Sequence, residues 1–417
     1  MKTTGLLVIS SYPPFGETHN KKVVGIASFT KNTLSSLSRL NEGKFKARVL
    51  AEVLDNEKNY KENNVEVLRV WKRGSIFAFP SLLKKIYKSP EPVILFEFEH
   101  AMFGNIISLI PLPLFLLITE KMLGKKIIFV FHQVIGDLKN LHGHINIPKS
   151  SFKIELLNIL IFFFYKAILL SVTKAVVFED ELKERLARLG DKKKIVVIPH
   201  GVEKFRSNLT YQSARTKLEI GKNDFLLLSF GFLAWYKGTD ILVKQFSSLS
   251  KDARKNVKLI IAGGPNPNHI GKKFYDDYVA KIQKESDKNG ISVTGFLPED
   301  KIPVYFEASD LIVFPYRTFM SSSGPLSIAL SYNKPFIVSE NLQGLAKSSD
   351  FKKALENSSL ENHDLIFKEG KFGLENKIKA LRNERVRDKM IKFSKLLAKE
   401  REFGKVAKLY EELIEKA

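Results

Sequence analysis

The chain has 417 residues, and 67 Lys and Arg against 45 Asp and Glu give a formal charge of +22; 44% of residues are hydrophobic and none is cysteine. At roughly 100–200 residues per domain the length predicts two or three domains, and an apolar content near the globular average excludes a disordered basic tail or a collagenous chain. Without cysteine there is no disulfide framework, no thiolate nucleophile and no cysteine-ligated zinc or iron–sulfur site.

The opening, MKTTGLLVISSYPPFG, has about six apolar residues before Ser and Pro interrupt it, fewer than the roughly 7–15 of a signal peptide. A cytoplasmic protein is the expectation. From there, short apolar runs alternate with helix-like stretches, as when parallel strands are covered by helices on both faces. The first half predicts strands at 5–10, 47–53, 65–71, 93–99, 126–132 and 175–179, with helices over 25–40, 101–123 and 151–172. The run 193–202 closes that series. The pattern restarts at 225–231, 258–263, 291–295, 311–315 and 335–339, and the last forty residues read as helix with charged faces. Two doubly wound α/β units follow, over 1–195 and 196–400, with a closing helix at 401–417.

The run 156–172 (LLNILIFFFYKAILLSV) approaches the roughly 20 apolar residues of a membrane span. It carries Asn158 and Lys166 and falls where the alternation needs a helix between two strands. It therefore predicts a helix packed on the sheet with one face free for a lipid interface. Charge points the same way. Basic residues outnumber acidic ones in both halves, yet residues 101–176 hold eight Lys and three acids in the most apolar part of the chain. That distribution is unlike a nucleic-acid arm, and no RNA-binding or helix-turn-helix signature accompanies it. It predicts peripheral attachment to an anionic membrane surface, on its inner face.

Open α/β sheets bind ligands beyond the carboxyl ends of their strands. The first such loop leads to Gly25-Ile-Ala-Ser-Phe-Thr30, a helix start that lets N–H groups approach an anion and that also suits an ordinary turn. His132 ends the fifth strand, placed either to donate to a sugar or phosphate or to be satisfied by the backbone. His142 and His144 have no third ligand at a metal-binding spacing and read as loop residues.

In the second unit, Gly231 ends a strand and Lys237-Gly238 opens a helix, which sets an ammonium at the positive end of a helix dipole, where a diphosphate is favoured. Gly263-Gly264-Pro is a tight turn, and the spacing to Gly271-Lys272-Lys273 is wrong for a P-loop. Ser321-Ser322-Ser323-Gly324-Pro325 is a capped helix start, with or without a ligand.

Taken as a set, SSYPPFG…GIASFT, His132, KIVVIPHGVE, SFGFLAWYKGTDILVKQF, KLIIAGGP, VTGFLPEDKIPVYFEASDLIVFPY and SSSGPLSIALSYNKPFIVSE resemble glycosyltransferase family 4, retaining and nucleotide-sugar-dependent enzymes of the GT-B fold. The likeness spans nearly the whole chain. It implies two Rossmann-like domains facing across a cleft, with the nucleotide-diphosphate sugar on the second, a glycan or lipid-linked acceptor on the first, and no cofactor or metal. By the same resemblance Lys237 is the diphosphate cation, Ser322, Ser323, Gly324 and Pro325 face the phosphates, and Gly231 and Gly264 lie in the donor site. The Gly295-Phe296-Leu297 turn flanks the nucleobase, Gly25 approaches the phosphates from the opposite domain, and His132 contacts the transferred sugar.

Three positions depart from the family. Phe232 stands where an arginine is common, and the paired glutamates that contact donor sugar and ribose align with Met320 and Ile328. Some branches carry a serine–glycine loop and a Tyr-Lys-Gly run instead, as here at Tyr236-Lys237-Gly238. The alternative is a catalytically degenerate GT-B subunit that binds a nucleotide sugar or lipid and regulates a partner.

Overall fold

The computed structural model describes residues 5–18, 25–40, 45–55, 57–203, 205, 207–267, 269–370 and 372–417. Two sheets organise the chain. The first has eight strands: β1 (Gly5–Ile9), β2 (Lys46–Glu52), β3 (Tyr60–Glu62), β4 (Val65–Trp71), β5 (Val93–Phe98), β6 (Lys126–Phe131), β7 (Lys174–Val177) and β8 (Ile195–Val197). Their order is β3-β4-β2-β1-β5-β6-β7-β8, parallel throughout except for β3, which pairs antiparallel with β4. The second contains β9 (Phe225–Phe230), β10 (Val257–Ala262), β11 (Ser292–Val293), β12 (Leu311–Phe314), β13 (Phe336–Ser339) and β14 (Ile366–Phe367), ordered β11-β10-β9-β12-β13-β14 and wholly parallel.

The central strands are apolar at successive positions because both faces are covered. In the first unit, alternate residues divide between two clusters. Leu7, Ile9, Phe96 and Phe129 face the helices Ala78–Tyr87, Leu112–Leu117 and Phe152–Leu170. Leu6, Val8, Leu95 and Val130 face the helices Ile26–Leu40 and Phe403–Glu415. The strands β3 and β14 escaped the sequence reading, being three and two residues long at sheet edges. β8, inside the run 193–202, pairs in parallel with β7 and is the last strand of the first sheet.

The single helix expected over 101–123 is instead broken into a 3₁₀ turn (Ile107–Leu109), an α-helix (Leu112–Leu117) and a π turn (Ile118–Met122). Gly104 has φ +109, and Pro111 and Pro113 lack the N–H groups that would join the pieces. The helix Phe152–Leu170 packs on the sheet as expected, through Tyr165, Ile168 and Leu169. No helix among the described residues is long and apolar enough to cross a membrane.

The carboxyl-terminal helical stretch is two helices, Glu384–Glu400 on the second unit and Phe403–Glu415 on the first. Arg401 marks the crossing. Its buried guanidinium bonds Glu179 of the first unit at 2.5 and 3.0 Å and Asp350 of the second at 2.7 and 3.1 Å, while its carbonyl accepts from Val202 N–H. A bidentate fork shared by two carboxylates ties both units to the crossing.

Candidate active site

The carboxyl ends of β9 and β12 supply the densest part of the site. After β9, Gly231 takes φ +116, a conformation open to glycine, and the chain makes a 3₁₀ turn over Trp235–Lys237. Gly238, at φ +69, then starts the helix Thr239–Ser247. A side-chain carbon at Gly231 would stand 2.5 Å from Lys237 Nζ and 3.4 Å from Pro325 Cγ. The lysine ammonium, the bare Gly231 backbone and the start of the helix Gly324–Ser331 therefore share one small space.

Among the described residues Lys237 forms no ion pair and no side-chain hydrogen bond. The surrounding protein removes enough water to bring its pKa down to about 8. An ammonium without a counter-ion among the described residues favours an anion beside it, and the dipole of the facing helix acts in the same sense. Ser323 caps that helix, accepting from Leu326 N–H, and hydrogen-bonds the Tyr316 hydroxyl at 2.9 Å. Ser322 and Gly324 flank the cap.

The turn that carries Lys237 is pinned from outside. Arg317 grips Asp240 at 2.8 and 2.5 Å, donates to the Trp235 carbonyl and lies 4.4 Å from the Trp235 ring centroid. Sequence reasoning did not find Arg317, because its partners are about eighty residues away. Farther along the sheet edge, a side chain at Gly264 would run into Phe296 N at 2.7 Å, so the Gly264 turn and the Gly295-Phe296 turn close on one another. The rings of Phe232 and Phe296 stack 6.2 Å apart and both remain exposed, while Leu297 packs against the second core. These residues form an apolar shelf farther along the sheet edge from the Lys237 turn.

On the first unit, His132 follows β6 with Nε2 at 2.7 Å from Glu97 Oε2. Phe29, on the helix that begins just after Gly25, meets the ring edge-on at 4.9 Å, and Phe178 does so at 4.8 Å. Burial brings the His132 pKa down to about 3, so the imidazole is neutral. Phe29 also contacts the ring of His200, whose Nδ1 lies 3.0 Å from Ser327 Oγ on the helix that starts at Gly324. His132, Phe29, His200 and Ser327 thus link the two halves of the site. Gly25 is exposed, and no described residue comes within 4 Å of a side-chain carbon placed on it.

Further residues gather at the end of β5. Gln133 bonds Glu99 and His100, and His100 bonds the Tyr165 hydroxyl. Burial, then Tyr316 and Glu99, raise the pKa of Tyr236 next to Lys237. The strand-end rule that found His132 could have found Glu99 and His100 as well. His142 and His144 are a correction, because they lie in a short helix (His142–Ile145) against Trp235 and Tyr236 rather than in a loop. No group of three or more metal-ligating side chains occurs among the described residues.

Residues 211–348, which hold most of the second sheet and the Lys237 turn, match the family model described as Glycosyl transferases group 1. Across the full length, the structure is similar to sucrose-phosphate synthase (tll1590) from Thermosynechococcus elongatus, with a TM-score of 0.69 at 13% identity over 99% of this chain and 100% of that one. It is also similar to Anabaena Alr3699/HepE in complex with UDP-glucose, and to WaaG, a glycosyltransferase involved in lipopolysaccharide biosynthesis. Each of these has a TM-score of 0.64 at 14% identity, over 99% of this chain and 100% of the other. No curated protein sequence matches the chain. At such identities the likeness establishes the fold, which is GT-B, and the family resemblance drawn from the motifs stands with it.

Proposed function

We propose that the protein transfers a sugar, with retention, from a nucleotide-diphosphate sugar to a glycan or lipid-linked acceptor at a membrane surface. The observation that carries this reading is the unpaired ammonium of Lys237 beside Gly231 and the helix start at Gly324-Pro325. A nucleoside diphosphate leaves readily once its developing charge is stabilised, and a lysine with oriented N–H groups in a water-poor site does that without reorganising. A phosphate oxygen of the leaving group can take the acceptor proton, so the step demands no protein base.

Lys237 supplies the positive charge, which makes the reaction metal-independent in this reading, and activity that survives a chelator is the expected result. His132 and Gly25 hold the transferred sugar and the phosphates from the first unit, and the Phe232–Phe296 shelf with Leu297 takes the base. Because HepE is a structure with UDP-glucose, a uridine nucleotide is the first donor to test.

The membrane setting is supported by the outer face of the helix Phe152–Leu170. Phe152, Leu156, Ile159, Leu160, Phe163 and Leu170 are exposed there, beside exposed Ile107, Ile110, Leu114 and Met122. An apolar face of this extent on a monomer marks an interaction surface. Lys149, Lys153 and Lys166 surround it, and its acid, Glu155, is already paired with Lys139. Apolar insertion with a lysine rim suits an anionic lipid interface.

One observation favours the rival reading of a regulatory subunit. Met320, aligned with the family's sugar-binding glutamate, is buried in an apolar cluster with Leu138, Leu141 and Ile154. Mass spectrometry of products, after the purified protein is offered a panel of nucleotide sugars with membranes containing lipid-linked acceptors, separates the two. Neither transfer nor hydrolysis with any donor would sink the enzyme.

A further inference from the structure

We infer that Glu97 is a positioning residue for His132, its carboxyl group fixing the imidazole tautomer so that Nδ1 presents a proton to the cleft. The inference rests on the reading that His132 contacts the transferred sugar.

Glu97 lies near the end of β5 with its side chain on the same face as Leu95, sealed from solvent under the helices Ile26–Leu40 and Phe403–Glu415. Its Oε2 has one partner, His132 Nε2 at 2.7 Å, and its Oε1 has none among the described residues. A charged carboxylate there would be buried with a single neutral contact, which is very unfavourable. Burial accordingly pushes the Glu97 pKa up to about 8 and that of His132 down, so both members of the pair are neutral near pH 7.

A neutral carboxylic acid must donate its proton, and the available acceptor is Nε2. A ring that accepts at Nε2 carries its hydrogen on Nδ1. Nδ1 makes no hydrogen bond within the described residues and is not among the sealed, unpartnered atoms, so it is the nitrogen that solvent or substrate can reach. Phe29 and Phe178, both edge-on to the ring, keep it from turning.

The other groups facing the pair do not compete for that proton. From the last helix comes Tyr410, whose hydroxyl is buried without a partner among the described residues and whose ionisation is opposed by that burial and then by Glu97. Beyond the imidazole stands neutral His200, with Arg401 farther on. The helix Ile26–Leu40 presents Phe29, which does not titrate.

Nitrogen-15 NMR of the histidine side chains in the full-length protein reads the tautomer directly, with the His132 signal assigned by its loss in His132→Gln. The expected result is an Nδ1–H ring at pH 7 in the wild type and in Glu97→Gln, whose amide can donate in place of the acid. Raising the pH through about 8 ionises Glu97, which must then accept from Nε2–H. The wild-type ring should switch tautomer there, and the Glu97→Gln ring should not. Glu97→Leu, which cannot donate, should lose the preference for Nδ1–H at pH 7.

An Nε2–H ring in the wild type at pH 7, or a tautomer insensitive to both pH and Glu97→Leu, would overturn the inference. Turnover separates it from the reading beneath it. Full activity in His132→Gln would remove His132 from the sugar site while leaving the tautomer result intact. Loss of activity in His132→Gln with an unresponsive tautomer would keep His132 and discard Glu97.

Discussion

The Val134 N–H donates to the Met320 carbonyl across 2.7 Å, joining the loop after β6 in the first unit to the loop before the helix Gly324–Ser331 in the second. The Met320 side chain continues that junction, packing with Leu138, Leu141 and Ile154. Arg185 donates to the neighbouring Phe319 carbonyl from the first unit. Where the family resemblance expects a carboxylate for the sugar, this chain has an apolar contact between its two units.

Restoring the acid should therefore harm the fold rather than repair the site. Met320→Glu places a carboxylate among aliphatic side chains and should cost about 2–4 kcal/mol, whereas Met320→Leu should cost less than about 1.5 kcal/mol. Urea denaturation of the two variants checks this. Equal midpoints would mean that residue 320 is not confined by the cluster.

If Lys237 binds the donor diphosphate as proposed, it should set the pH dependence of donor binding. Its pKa is lowered to about 8, so the free site carries the ammonium below that pH and loses it above. A nucleoside diphosphate binds the protonated form, and affinity should be flat below pH 8 and fall up to about tenfold per pH unit above it. Calorimetric titration with UDP in the wild type should show that bend. Lys237→Ala should remove it and lower turnover by at least about tenfold, the value of one charge-assisted hydrogen bond.

Gly238 is constrained twice. It sits at φ +69, and a side-chain carbon there would collide with the Pro315 carbonyl oxygen at the end of β12. Gly238→Ala should cost about 1–3 kcal/mol and displace the Lys237 turn, weakening nucleotide binding along with stability. A variant as stable as the wild type and as tight for UDP would show that the turn relaxes freely.

The outward face of the helix Phe152–Leu170 should govern vesicle binding. Replacing Leu160 and Phe163 by glutamate removes two apolar anchors and adds two charges that an anionic bilayer repels, so co-sedimentation with phosphatidylglycerol vesicles at low salt should weaken at least tenfold. UDP affinity should be unchanged, because both residues face away from the cleft. If the wild type fails to bind such vesicles, the membrane setting falls.

Local physics made much of this molecule legible before any coordinates. Apolar runs with β-branched residues mark strands buried on both faces, and Gly and Pro at strand ends mark the turns, so nearly all the longer strands and the Gly231, Lys237 and Ser323 loops could be read in order. Short edge strands such as β3 and β14 could not, because two or three residues carry no period. The helix expected at 101–123 failed for a related reason: its apolar content is helical, but Pro111, Pro113 and Gly104 decide its backbone.

What the residues alone could not decide was everything that depends on partners distant in the chain. Arg317 reaching Asp240, Arg401 bridging Glu179 and Asp350, and Glu97 beneath His132 are contacts between residues about 35 to 220 positions apart. A buried charge or a tautomer is set by what surrounds it, and the folded chain supplies those surroundings. The sequence by itself determined two parallel α/β units and the glycine and lysine turns at their strand ends. Tertiary structure decided that the Lys237 ammonium and Pro325 converge on Gly231 with no counter-ion among the described residues, and that Met320 joins the two units.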